Sequence, residues 1–230
     1  MCRGKEFCSE LGHDPNKWSK NCPLPLPDFF NSSLEKFSVS VRELTLRNTK
    51  AALDALFECN SEEVGSYFME HGQQSAYFRV FDRAAIDKQN KKMKKINKDP
   101  RINAAIEKEI FIRDSYRCRY CGLRIISKDV FAQYARIVGQ DVFSTSRINS
   151  KRNGLTLGLR GVADHVEPYS GGGKTDSNNL VTSCYSCNFG KAGYTLQQMG
   201  ILDPRLREPI EDDWMGLTEF LPSLKMIELE

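Results

Sequence analysis

The sequence predicts an α+β fold: a helical N-terminal region over residues 1–98, followed by a small domain over residues 99–200 that four cysteines staple together. Two observations predict it. Apolar residues recur at helical spacing through the first half, and two C-x-x-C pairs, Cys118 with Cys121 and Cys184 with Cys187, bracket a stretch where alternating apolar residues lead into a cluster of polar, chemistry-bearing side chains. At 230 residues and 40% hydrophobic content the chain is long enough to bury a sizeable core. The N-terminal run has no apolar stretch behind its charges, and no window approaches the length of a membrane span. A cytoplasmic protein with no membrane partner is therefore expected.

Taken in order, residues 1–27 are polar and rich in Cys and Pro, ending in Pro23, Pro25 and Pro27, which exclude a helix interior. Residues 41–59 place Leu44, Ala51, Ala52, Leu53, Leu56 and Phe57 at helical spacing, and residues 67–86 continue with a second, aromatic-rich helical stretch. The Lys-rich segment 88–98 reads as a linker or a solvated helix face. Asp99 with Pro100 forms an N-cap signature for a helix bearing Ile102, Ala105, Ile106 and Ile110 on one face. An insertion at 123–163 follows, in which Ser127 caps a helix carrying Val130, Phe131, Tyr134, Ile137 and Val138, with Gly139 as its stop. Leu155, Leu157 and Leu159 alternate as in a strand, and the triplet 171–173 of glycines reads as a flexible turn between two strands. Thr195 and Gly200 bound one more short helix before an acidic C-terminal tail, 201–230.

The net charge of +3 conceals segregation. Residues 83–102 hold eight Lys or Arg against two Asp, and the insertion 123–163 holds seven (Arg124, Lys128, Arg136, Arg147, Lys151, Arg152 and Arg160) against two. Residues 201–230 reverse this, with three basic and eight acidic side chains. A polyanion is drawn to the middle of such a chain, and the insertion is the candidate for phosphate contacts that position a duplex.

Paired C-x-x-C spacing in a chain with no secretion signal favours metal over disulfide. Two knuckles of two thiolates each can hold one Zn²⁺ tetrahedrally, a closed site that clamps the chain between them. Cys2, Cys8, His13 and Cys22 form an irregularly spaced set for a second zinc, with free thiols as the alternative. Gly173-Lys174-Thr175 approaches a phosphate-loop ending, but position 168 is Pro where that loop needs Gly.

Between the knuckles stand Asp164-His165-Val166-Glu167-Pro168, the three glycines, Asn178-Asn179-Leu180, and then Cys184-x-x-Cys187-Asn188 with Lys191 beyond. Over residues 106–200 this order resembles the HNH endonuclease family, whose domains carry a ββα-metal motif. The resemblance implies that His165 is the general base, that Asn179 holds the loop and orients the base, and that Asn188 binds the catalytic metal together with Asp164. Many relatives have His at the last position, so this is an H-N-N variant. A carboxylate with an amide oxygen is a hard set suited to Mg²⁺ or another divalent cation. Lys191, one helical turn past Asn188, reads either as a phosphate contact or as a solvated lysine.

The residue types suit that chemistry on their own terms. Hydrolysis of a phosphodiester needs an in-line water, charge neutralisation at phosphorus and help for the departing alkoxide. A histidine near its ordinary pKa of about 6.5 takes a proton from water if its second nitrogen is held. The expected function is a metal-dependent endonuclease acting on double-stranded DNA, in restriction or anti-phage defence, as a homodimer where both strands are cut. The alternatives are a catalytically silent zinc module that binds DNA and a nuclease that cuts RNA.

Overall fold

The computed structural model describes Glu10, Gly12, residues 14–72 and residues 102–228. Cys2, Cys8 and His13, the Lys-rich segment, the Asp99-Pro100 cap signature and most of the second aromatic stretch lie outside the described residues.

After a 3₁₀ turn at Pro15–Lys17, helix α1 (Phe29–Thr45) begins directly beyond the prolines. It buries Phe30, Leu34, Phe37, Val41 and Leu44, the spacing that puts one apolar stripe against a core. The helical reading of 41–59 holds for the periodic residues, but the stretch is broken: α1 ends at Thr45, and Asn48 caps a separate α2 (Thr49–Phe57) through its side chain. Helix α3 (Ser61–Tyr67) follows and passes into a π-helical turn, Phe68–Gly72.

Helix α4 (Ala104–Arg113) is capped by Asn103, whose side chain accepts from the Ile106 amide at 2.9 Å. Helix α5 (Lys128–Val138) starts on Ser127 and stops at Gly139 with φ 90°, as its cap residues predict. Rather than projecting, the insertion packs on α1. Phe37 lies 5.3 Å from Phe131, 4.9 Å from Tyr134 and 5.5 Å from Phe143, ring centre to ring centre. The Ser40 hydroxyl donates to the Ala52 carbonyl and lies 2.6 Å from the Tyr134 hydroxyl, so α1, α2 and α5 meet at one polar point inside the core.

Leu155, Leu157 and Leu159 belong to a buried helix, α6 (Gly154–Leu159), and not to a strand. Every residue of α6 is buried, so neither period is imposed by solvent, and Leu-Thr-Leu-Gly-Leu fits both. Tertiary contact decides. A Cβ on Gly154 would lie 1.7 Å from the Ser61 carbonyl oxygen, and one on Gly158 would lie 2.2 Å from the Val64 side chain, so both glycines let α6 press against α3.

Strand β1 (Gly161–His165) starts after α6 and pairs antiparallel with β2 (Leu180–Cys184), in a register that sets Gly161 opposite Cys184 and His165 opposite Leu180. Helix α7 (Tyr185–Lys191) leaves β2 without a loop, its first turn capped by the Cys184 sulfur. Two strands and a helix are thus contiguous, and the α+β expectation holds. Helix α8 (Leu196–Met199) carries the capping box Thr195/Gln198 and ends at Gly200 in the left-handed region.

The acidic stretch from Ile201 onward packs against the domain. Arg117 and Arg124 both bind Asp212, the Trp214 indole donates to the Ile125 carbonyl at 2.7 Å, and Leu217 and Leu224 are buried. Its last element, α9 (Leu221–Lys225), has its C-terminal carbonyls bound by Arg136. Among the described residues, no helix is long and apolar enough to cross a membrane.

Candidate functional site

The sulfurs of Cys118, Cys121, Cys184 and Cys187 all lie within 4.8 Å of one another, close enough to share one ion. Cys118, Cys184 and Cys187 are buried and Cys121 is partly exposed. Burial raises the Cys118 thiol, but hydrogen bonds from the other three sulfurs outweigh it and hold Cys118 well below the usual thiol range. Sharing that one thiolate raises Cys121, Cys184 and Cys187 in turn. Four sulfurs so close together suit a cation such as Zn²⁺, which would hold all of them as thiolates. Backbone pairing fixes the first knuckle to the sheet, since the Arg119 amide donates to the Thr182 carbonyl at 2.8 Å. The buried Asp114 at the end of α4 accepts from the Thr182 amide at 2.7 Å. Within the Cys set proposed near the start, Cys22 is buried with its sulfur 3.3 Å from the Ser19 hydroxyl.

Asp164 and His165 close β1 with different surroundings. Asp164 is buried and points at the first cysteine knuckle and α7. Its Oδ2 accepts from the Tyr120 hydroxyl at 2.7 Å, and the Lys191 ammonium lies 3.3 Å from Oδ2 and 3.4 Å from Oδ1. Lys191 also donates to the His165 carbonyl at 2.8 Å and is only 1% exposed. This overturns the reading of Lys191 as a solvated lysine: it is an internal cation holding the end of β1. Its partner is distant in sequence and only the fold reveals it. Tyr120 was likewise missed, although its place one residue before Cys121 was a usable signal. Burial, and then the charge and hydrogen bond of Asp164, push Tyr120 well above the usual phenol range, so it remains a donor.

His165 is half-buried, with Nε2 at 2.9 Å from Thr175 Oγ1 and its ring beside Tyr169. Burial lowers its pKa. Asp164 opposes that fall, and the Lys191 charge adds to it. Burial thus favours the neutral form of the imidazole. Thr175 stands in the β1–β2 connection, which Asn179 ties down: its Oδ1 accepts from the Glu167 amide at 2.8 Å, and its Nδ2 donates to the Glu167 and Lys174 carbonyls at 3.0 and 2.9 Å. The glycine triplet is thus a fixed turn and not a flexible one. A Cβ at Gly173 would sit 1.9 Å from the Glu167 carbonyl oxygen, so only glycine fits inside the Asn179 clamp.

Asn188 lies on α7, half-buried, one turn before Lys191, and the two share a helix face. Its side chain makes no hydrogen bond among the described residues, to Asp164 or to any other group. Asp164 Oδ1, met only by the long contact from Lys191, keeps acceptor capacity, and an uncommitted amide oxygen complements it. That donor set fits a hard divalent cation.

Residues 160–192 match the model of a protein family described as HNH endonuclease. The match takes in β1, the glycine turn, β2, the second knuckle and α7. No curated protein and no solved structure matches the chain. Residues 160–192 are thus similar to the HNH endonuclease family, with His165 ending the first strand, Asn179 in the turn before the second and Asn188 on the helix.

Proposed function

We propose that the chain is an endonuclease that hydrolyses DNA phosphodiester bonds, with His165 as general base, and that it serves in restriction or anti-phage defence. The observation that carries this reading is the placement of His165: a half-buried imidazole with Nε2 2.9 Å from Thr175 Oγ1, next to the buried Asp164 at the end of β1. When Thr175 accepts from Nε2–H, the Nδ1 lone pair is left to take a proton from water as the water oxygen bonds to phosphorus and the bond to the leaving oxygen breaks. Asn179 keeps Thr175 in place by fixing the turn. Tyr120 and Lys191 hold Asp164, which with Asn188 would hold a divalent cation such as Mg²⁺. When bound, that cation supplies positive charge at the phosphoryl and leaving oxygens. The four cysteines would hold Zn²⁺ as a structural staple.

A catalytically silent nucleic-acid-binding module is the second reading, and one observation favours it: Lys191 already balances the charge on Asp164. Purified protein incubated with supercoiled plasmid and Mg²⁺ separates the two. Nicked or linear product that disappears with His165→Ala supports the nuclease. No product with any divalent cation supports the silent module, and undiminished cutting by His165→Ala removes His165 from the mechanism. Cleavage of RNA alone would move the activity to that substrate.

A further inference from the structure

We propose that Arg152 and Arg160, mounted on the ring of Tyr185, form a phosphate-binding subsite for the nucleic-acid backbone one helical turn from Asn188. The inference rests on the nucleic-acid reading of the domain but not on catalysis. Both guanidinium carbons lie over the same ring, at 5.8 Å for Arg152 and 5.1 Å for Arg160. The ring itself is fixed: Phe189 lies 4.9 Å away and the fully buried Phe68 6.0 Å away. The Arg160 carbonyl accepts from the Tyr185 amide at 3.0 Å, which ties the start of β1 to the start of α7.

What the two arginines lack points to a ligand. Among the described residues neither makes an ion pair. Arg160 donates no hydrogen bond, and its Nε is buried without a partner. Arg152 spends Nε on the Ser146 carbonyl at 2.5 Å and Nη1 on the Tyr185 hydroxyl at 3.3 Å, which leaves Nη2. Two like charges sharing one aromatic ring repel each other, and a half-buried guanidinium without an acceptor carries a desolvation cost. An anion with several acceptor oxygens relieves both, and a phosphodiester matches the fork of each guanidinium. Three of the other five basic side chains of the insertion narrow the choice. Arg124 binds Asp212, Lys128 binds Glu107 and Arg136 binds the end of α9, so these three are already committed. Tyr185 and Asn188, three apart on α7, share a face, with a rise of about 5 Å between them. A strand lying on this pair therefore runs on toward the candidate metal ligand.

The test uses the full chain carrying His165→Ala, with no divalent cation added, so that binding is read without cutting. Its affinity for a fluorescent DNA duplex, and for an RNA duplex of the same sequence, is measured across a salt series. Arg152→Ala and Arg160→Ala should each weaken binding about tenfold and reduce the log–log salt slope by about one, whereas Arg160→Lys should keep the slope. Parent affinity and slope in both alanine variants would overturn the proposal. Zinc content and thermal melting report folding. Should an alanine variant lose either, the Nε–H resonance of Arg160, assigned with Arg160→Lys, is followed in the otherwise intact arginine set. A shift on adding duplex supports the subsite, and no shift overturns it. Equal losses on RNA, together with no plasmid cleavage by the parent chain in Mg²⁺, would keep the subsite while removing the proposed DNA substrate.

Discussion

Thr175 is the side chain within hydrogen-bond distance of His165 Nε2, and its hydroxyl can be removed without changing the shape of the side chain. Thr175→Val leaves the imidazole half-buried but unheld at Nε2, and plasmid cleavage should fall on the order of 10- to 100-fold, as when groups that orient an active-site histidine are lost. Thr175→Ser should restore it. Nitrogen NMR of histidine-labelled protein checks the cause independently of activity: the parent should show the Nε2–H form at His165, and the valine variant a mixture of both neutral forms. Lys191 allows a different residue-scale test. It is buried against Asp164, whose other side-chain hydrogen-bond partner among the described residues is Tyr120. Lys191→Met removes the compensating charge from a buried carboxylate, which should cost about 3 kcal/mol in urea unfolding. A loss below about 1 kcal/mol would mean that Tyr120 alone suffices for Asp164.

Among the elements, those whose ends are set by local chemistry were legible in the chain. Ser127 and Gly139 bound α5, and Thr195 and Gly200 bound α8, because a cap hydrogen bond or a left-handed turn involves only neighbouring residues. Leu155 to Leu159 were not legible, because a short apolar run buried on every side carries no solvent-imposed period. The stretch 201–228 was obscured in another way: its acidic charge suggests a solvated tail, while Trp214, Leu217, Phe220, Leu221 and Leu224, which pack on the domain, follow no single period that announces one element. Asp212 fastens it. Burial pushes that carboxyl up, but the bonds from Arg117, Arg124 and the Trp214 amide outweigh burial and hold it below the usual carboxylate range. A carboxyl whose pKa is depressed on folding contributes stability that is complete above its unfolded value near 4 and lost as pH falls through the lower, folded one. Thermal melting between pH 7 and pH 3 should therefore show a smaller loss for Asp212→Asn than for the parent, starting from a lower melting temperature at pH 7. Parallel curves would mean that the two arginines do not couple the segment to the domain.

On the scale of the whole molecule, the four-cysteine cluster and the proposed reaction site meet in one side chain. The chain between the knuckles holds β1, the glycine turn and β2, and Tyr120 sits inside the first knuckle while its hydroxyl reaches Asp164. The candidate chemistry was readable because Asp164, His165, Asn179 and Asn188 are spaced along a contiguous stretch. Its supports were not, because Tyr120, Lys191 and Thr175 act only through contacts that the fold creates. Loss of the four-sulfur site should therefore displace Asp164 as well as loosen the knuckles. Stripping zinc with a chelator, then returning to excess Mg²⁺, should abolish cleavage, and adding zinc back should restore it, because binding at such a site is folding free energy. Tyr120→Phe separates transmission from folding. It keeps the ring, which is buried, and all four sulfurs, so zinc content should stay at one per chain while cleavage falls about tenfold and the Mg²⁺ concentration needed for half-maximal rate rises. If the phenylalanine variant instead cleaves at the parent rate with unchanged Mg²⁺ dependence, the staple supports the strands alone and Asp164 is placed without it.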